Sequence, residues 1–258
     1  MFPQKGGEDA TPKKLSATDA IFDHLKQINK EADANEETLR VSMDAKATVK
    51  VGPFARGGKS RVRTCAVDHD FHPEATVTPV GIFLPALDEL FLYGVTSKVT
   101  SDCLVDRLVE WWESVKERFS HIKTLLINVD NGPENHSRRT QFMQRLLEFV
   151  HQYQITIRLA YYPPYHSKYN PVERCWGILE QHWNGSLLDS VAAVIHFAST
   201  MTWKGKKPVV TLVTTTYQTG VKLTKEAMEV VETHLQRLPS LEKWFVDIAC
   251  PPPAIQDN

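Results

Sequence analysis

Three acidic residues, far apart in the chain, stand where catalytic or metal-binding carboxylates are often found. Asp130 ends the apolar run 124–129, Asp44 lies inside the strand-like run 39–45, and Glu173 stands at the start of an amphipathic helix. Carboxylates brought within a few ångströms repel one another unless a cation neutralises them, and such oxygen ligands suit Mg²⁺ or Mn²⁺. The pattern therefore indicates a two-metal site for phosphoryl transfer.

Two of these acids also have a purely structural explanation. Asp130 precedes the turn Asn131-Gly132-Pro133, and an Asp before a turn often bonds to backbone amides. With Asn170 as the N-cap and Pro171 as the first helical residue, Glu173 would complete a capping box. Neither acid is therefore assigned a chemical role by its own position.

The third acid and its neighbours leave further alternatives open. Asp44 shares a strand face with Ser42 and Lys46, and an exposed strand face would carry the same residues. Glu180, two turns after Glu173 on the same side of its helix, is a rival for the helical acid. The argument for a site depends on three carboxylates meeting in the fold.

Hydrophobic periodicity predicts the elements that would bring them together. The predicted strands cover 38–51, 75–84, 89–97, 124–130, 156–161 and the β-rich stretch 209–217. The predicted helices cover 20–28, 101–119, 137–153, a segment opened by Pro171, and 224–238. Because the first strands can pair antiparallel and the later ones need crossovers, we expect an α/β fold with a mixed sheet flanked by helices.

Composition limits the class of protein. A chain of 258 residues with 42% hydrophobic content can bury a full core as one domain. Its formal net charge of −1 means that any nucleic-acid contact must come from local basic patches. No segment approaches the roughly 20 apolar residues of a membrane span, and the four widely spaced cysteines suit free thiols in a reducing compartment. We expect a cytoplasmic protein that does not bind membranes.

Two groups of basic residues lie close to the acids in sequence. The first falls between Ala45 and Arg63, a segment without an acid, and the second follows Asp130 at the predicted start of the next helix. Such groups could bind nucleic-acid phosphates, although a solvated hairpin and a solvated first helical turn would look the same. The residues predicted to bind DNA are Lys46, Lys50, Arg56, Lys59, Arg61, Arg63, His136, Arg138 and Arg139.

Whole stretches of the sequence resemble DDE transposases of the mariner-related superfamily. The motifs resemble those of the ISAzo-thirteen family of insertion-sequence transposases still more closely. The resemblance runs from about residue 17 to Ile248. The stretches that carry it are Asp44-Ala45-Lys46-Ala47-Thr48-Val49-Lys50, Asp130-Asn131-Gly132-Pro133-Glu134-Asn135, Tyr161-Tyr162-Pro163-Pro164-Tyr165-His166-Ser167 and Asn170-Pro171-Val172-Glu173-Arg174-Cys175-Trp176.

This resemblance implies a ribonuclease-H-like fold, with Asp44 on the central first strand, Asp130 ending the fourth and Glu173 on a later helix. It implies that these three acids hold two Mg²⁺ (or Mn²⁺) ions. It also implies the reaction, in which water cuts DNA at the ends of the element and the freed 3′-hydroxyl attacks target DNA. The implied partner is DNA, at both element ends and target, and a homo-oligomer is left open.

The resemblance also shapes the expected domain organisation. We expect a flexible leader at 1–17, a catalytic domain at 18–202 and a C-terminal β/α extension at 203–258 packed on it. Transposases of this type usually carry a helix-turn-helix region before the catalytic domain, and the chain resembles only the part that follows it. Two alternatives stay open: a truncated, non-catalytic remnant that binds DNA or transposase subunits, and a general nuclease of the same fold.

Overall fold

A mixed β-sheet forms the centre of the protein. The computed structural model describes residues 18–54, 73, 75–164 and 166–249. The strands in this part of the chain are β1 (Thr38–Ala45), β2 (Val49–Val51), β3 (Ala75–Leu84), β4 (Glu89–Val95), β5 (Thr124–Val129), β6 (Thr156–Tyr161), β7 (Val209–Val213), β8 (Leu235–Arg237) and β9 (Phe245–Ile248). Their order is β7-β4-β3-β1-β5-β6-β9-β8, with β2 paired to β3, which confirms the predicted mixed sheet.

Helices cover both faces of this sheet. Those in the described residues are α1 (Thr18–Ala34), α2 (Ser101–Val115), α3 (Thr140–Tyr153), α4 (Val172–Trp183), α5 (Val191–Thr200) and α6 (Lys225–Glu232). On one face α2 and α3 pack against Val41 and Met43 of β1. On the other, α4 and α5 pack against Phe83 and Leu92 of the two neighbouring strands. Successive side chains of a strand point to opposite faces, so Ser42 and Asp44 face α4.

The pairing of β1 decides where its acid lies. β1 runs parallel to β5, with Met43 opposite Val129, and antiparallel to β3, with Asp44 opposite Gly81. The carboxyl ends of parallel neighbours meet at one edge of the sheet. Asp44 and Asp130, which follow the paired residues Met43 and Val129, therefore lie at the same edge.

Several predicted boundaries shift by a few residues. The segment 38–51 forms two strands, β1 and β2, which are separated by residues 46–48 and both pair with β3. The helix predicted from residue 137 begins at Thr140, so the prediction that His136, Arg138 and Arg139 open it is wrong. The Arg139 N–H donates instead to the His136 carbonyl, which makes this segment a turn before the helix.

The C-terminal part adds strands to both edges of the sheet. β7 pairs with β4 in parallel, whereas β9 pairs antiparallel with β6 and β8. The division of the chain at residue 202 stays a prediction. The leader 1–17, residues 250–258 and four predicted DNA-binding residues (Arg56, Lys59, Arg61 and Arg63) lie outside the described residues. None of the described helices has the length and apolar character that crossing a membrane requires.

Candidate active site

Asp44 is a buried carboxylate near the end of β1. Its side chain is 7% exposed, and its Oδ2 accepts a hydrogen bond from the Trp176 indole Nε1 at 2.7 Å. Burial, together with the charges of Asp130 and Glu173, raises the pKa of Asp44 to about 7, although hydrogen bonds from Trp176 and from the Ala45 backbone act in the opposite direction. The alternative of a solvent-exposed strand face does not hold, since Ser42 is also fully buried.

Asp130 follows β5 in a tight loop. Its Oδ1 accepts a hydrogen bond from Asn135 Nδ2 at 2.9 Å, and the Asn135 carbonyl accepts one from the Tyr161 hydroxyl at 2.7 Å. The backbone of Gly132 passes close by, because a Cβ there would lie 2.9 Å from Asn135 Oδ1 and 3.4 Å from both carboxylate oxygens of Asp130. A side chain at position 132 would therefore displace the Asn135 amide, which bonds to Asp130.

Glu173 is half-buried in the first turn of α4. Its backbone N–H donates to the Asn170 carbonyl at 3.0 Å. The Asn170 side chain is fully buried and turns towards β1, where it accepts from Ser42 Oγ at 2.5 Å and donates to the Met43 carbonyl at 3.3 Å. The predicted capping box is therefore wrong, because the side chain of Asn170 bonds to a strand instead of the helix start.

The three acids act on one another electrostatically, since the charges of both Asp130 and Glu173 raise the pKa of Asp44. Within the described ranges no three His, Cys, Asp or Glu side chains are already arranged as ligands of a metal ion. The chemistry of the donors nevertheless fits a hard divalent cation, because all three are carboxylates. Asn135 Oδ1 is also buried without a hydrogen-bond partner.

A cavity of about 180 Å³ opens beside the two aspartates. Asp44 and Asp130 line it together with Val129, Gly132 and Asn135. A space of this size, with two carboxylates in its wall, can admit a small cation. The two carboxylates can therefore hold a cation at this edge of the sheet.

A protein-family model matches most of the chain. The family model described as the Rhodopirellula transposase DDE domain matches residues 4–250. The chain belongs to this family of transposase DDE domains. The match confirms the resemblance to ISAzo-thirteen transposases that the motifs predicted.

Solved structures show the fold of this DDE domain. The Mos1 mariner paired-end complex with Mn matches at 12% identity with a TM-score of 0.50, covering 80% of this chain and 61% of that one. The Mos1 paired-end complex with the left transposon end matches at 12% identity with a TM-score of 0.49, and the match covers 75% of this chain and 56% of that one. The first likeness confirms the ribonuclease-H-like fold, and the chain spans about three fifths of these transposases. Among curated proteins, no sequence matches.

Glu180, the rival acid of this DDE domain, has other partners. It forms an ion pair with Lys46, and its Oε2 accepts from Trp183 Nε1 at 2.8 Å. The side chain of Lys46 is only 12% exposed in that pair. Glu180 therefore neutralises a lysine that was predicted to bind DNA, and the role of Lys46 in DNA binding stays a prediction.

The other described basic residues differ in exposure. Lys50 is exposed on β2, with its Nζ 5.6 Å from the centre of the Phe54 ring. Arg138 is exposed in the loop before α3. Arg139 is half-buried and forms an ion pair with Glu134 at 3.4 Å. His136 is half-buried as well, and burial, followed by the charges of Arg139 and Arg138, lowers its pKa.

Sequence reasoning missed the residues that hold the acids in place. They are Ser42, Asn135, Asn170 and Trp176. The sequence placed Ser42 on the strand face of Asp44 and Asn170 at the helix start before Glu173, but it indicated none of the contacts that these four side chains make in the fold. For Trp176 a signal was present, because it stands one helical turn after Glu173, but its contact with Asp44 spans 132 positions and depends on the fold.

Proposed function

We propose that this domain cuts DNA at the ends of an insertion sequence and transfers the freed strand to target DNA, in reactions that need Mg²⁺ or Mn²⁺. Membership of a DDE transposase family indicates nuclease and transferase chemistry. The observation that carries the proposal for this chain is the buried Asp44, whose pKa is raised to about 7 by burial and by two further acids. A carboxylate kept in that environment suits a site that receives a cation.

In this proposal Asp44, Asp130 and Glu173 hold two divalent ions. Bound ions of this kind activate an attacking hydroxyl and stabilise the leaving oxygen of an in-line displacement. Two of these acids accept hydrogen bonds from the chain itself, Asp130 from Asn135 and Asp44 from Trp176, and the buried Asn170 joins the helix start that carries Glu173 to β1.

DNA is the proposed partner. The Mos1 relatives are complexes with transposon ends, and we extend that property to this chain. Of the residues predicted to bind DNA, Lys50 and Arg138 are exposed in the part of the chain that the structure describes, and we propose that they contact phosphates. Contacts from Arg56, Lys59, Arg61 and Arg63, as well as assembly into a homo-oligomer, belong to the same proposal.

Replacing Asp130 by Asn tests the reaction. The variant keeps the hydrogen-bonding shape of the side chain but removes a charge, so we expect the fold to persist and Mg²⁺-dependent cleavage to fall by at least about a thousandfold. The measurement is nicking and strand transfer on DNA with pre-cut ends, and circular dichroism checks the fold. Asp247→Asn on β9, away from the acids, is the control.

The same assay separates the alternatives. A wild-type domain that binds such DNA but neither nicks nor joins it would behave as the non-catalytic remnant. Cleavage without strand transfer would indicate a general nuclease. Unchanged cleavage in Asp130→Asn would remove the assignment of the acids.

A further inference from the structure

We propose that Trp176 is a positioning residue of this site, whose indole N–H fixes the Asp44 carboxylate and ties the helix bearing Glu173 to the strand bearing Asp44. The inference rests on the proposed function, because it concerns the same three acids. It adds a specific requirement: the acids bind cations well only when this one hydrogen bond holds two of the elements together.

The contact itself is short and buried. Trp176 Nε1 donates to Asp44 Oδ2 at 2.7 Å, and the two residues are 4% and 7% exposed. A hydrogen bond to an ionised acceptor in a dry environment is among the stronger ones. An indole N–H can donate but never accept, so it cannot ligate a cation. It holds Oδ2 of an acid that lines the cavity.

The strand opposite Asp44 is shaped to seat the indole. Gly81 is the direct cross-strand partner of Asp44. A Cβ on Gly81 would lie 2.6 Å from Cη2 and 2.8 Å from Cζ2 of Trp176, and 3.1 Å from Cγ2 of Val172. The ring therefore rests on bare backbone beside the acid. A side chain at position 81 would push both the donor and the helix away from Asp44.

A second attachment lies on the other side of Glu173. The Val172 N–H donates to Ser42 Oγ at 2.9 Å, and Ser42 Oγ donates to Asn170 Oδ1 at 2.5 Å. Ser42 and Asp44 are two residues apart on the same face of β1, so they contact α4 before and after Glu173 respectively. The position of Glu173 relative to Asp44 thus depends on both attachments, of which only Trp176 touches an acid.

Replacing Trp176 by Phe removes the N–H and keeps an aromatic ring on Gly81. The matched control is Trp183→Phe on the same helix, because Trp183 is also buried and also donates from its indole to a carboxylate, that of Glu180. Mn²⁺ alone is the probe, and its binding to the full chain is followed by electron paramagnetic resonance and by the shift in unfolding temperature. Strand transfer is measured against Mg²⁺ concentration in parallel.

We expect Trp176→Phe to weaken Mn²⁺ binding by about ten- to a hundredfold, as losses of residues behind metal ligands do. The Mg²⁺ concentration for half-maximal strand transfer should rise by a similar factor. Trp183→Phe should stay within about twofold of the wild type on both measures, even if it lowers the unfolding temperature. Gly81→Ala keeps the indole but displaces it, and should weaken binding in the same direction.

Equal effects in the two tryptophan variants, or unchanged Mn²⁺ binding in Trp176→Phe, would show that Trp176 only packs the core. If Trp176→Phe fails to fold, Gly81→Ala decides in the same way, with unchanged binding contradicting the inference. Failure of the proposed function looks different, because a wild-type domain that binds Mn²⁺ but leaves DNA intact loses the reaction and keeps the positioning role.

Discussion

At the scale of single residues, the buried carboxylate of Asp44 lowers the stability of the metal-free protein and favours the binding of a cation. Its carboxylate is held in a buried position beside two other acids, which costs free energy until a cation arrives. The neutral form is favoured in the metal-free protein below about pH 7, since the pKa of Asp44 is raised to about that value. The charged site therefore lowers the free energy of unfolding of the metal-free protein.

Asp44→Asn should stabilise the metal-free protein at high pH. The folded pKa is about 7 against an ordinary value of 3.8, so the folded state holds the proton more tightly. The stability from this group is fully present below pH 3.8 and is lost as pH rises through about 7. At pH 8 the variant should be more stable by on the order of 4 kcal/mol.

Urea unfolding with a chelator present measures this difference. The comparison at pH 4 is the control, because there wild type and variant should unfold almost together. A variant less stable than the wild type at pH 8 would show that Asp44 is not held in an unfavourable charged state.

At the scale of elements, the junction between β1 and α4 is the part that sequence reasoning could not supply. Apolar patterns predicted most strands, since each was read from its own residues. The junction depends on Ser42 meeting Asn170, 128 positions later. The start of α3 was misplaced for a similar reason, because Ser137 Oγ donates to the Lys243 carbonyl, 106 positions away, and holds a turn where periodicity indicated a helix.

Ser42→Ala tests this junction. It leaves Asn170 Oδ1 and the Val172 N–H buried without their present partner, which should cost about 1–3 kcal/mol of unfolding free energy. Strand transfer should fall as well, because the helix start bearing Glu173 loses an attachment to β1.

Denaturant unfolding gives the magnitude, with Ser97→Ala as the control. Ser97 Oγ donates to the Thr215 carbonyl at an exposed position, where loss of the bond should cost less than about 0.5 kcal/mol. Equal costs at the two serines would mean that the junction contributes no more than a surface contact does.

At the scale of the whole molecule, the chain has almost no net charge. The formal net charge is −1, so DNA binding must depend on a few cations near the acids. The order of the three acids and the mixed sheet were predictable, because both follow from motifs and periodicity. The sequence could not predict which cations are available to bind DNA, because the ion pairs of Lys46 with Glu180 and of Arg139 with Glu134 depend on the fold.

Arg138→Ala should weaken binding to DNA ends and lower the slope of log affinity against log salt by about 1, as expected for one lost phosphate contact. Fluorescence anisotropy across a salt series measures both. Lys123→Ala is the control, because Lys123 precedes β5 and so lies at the end of that strand opposite Asp130. An unchanged slope in Arg138→Ala would place the DNA elsewhere.

The central claim is that Asp44, Asp130 and Glu173 together hold divalent ions. Anomalous scattering from crystals of the domain grown with Mn²⁺ and DNA with pre-cut ends tests it most directly. We predict two peaks about 4 Å apart among the three carboxylates. Manganese bound only by other residues, with no peak within ligand distance of Asp44, would contradict the account.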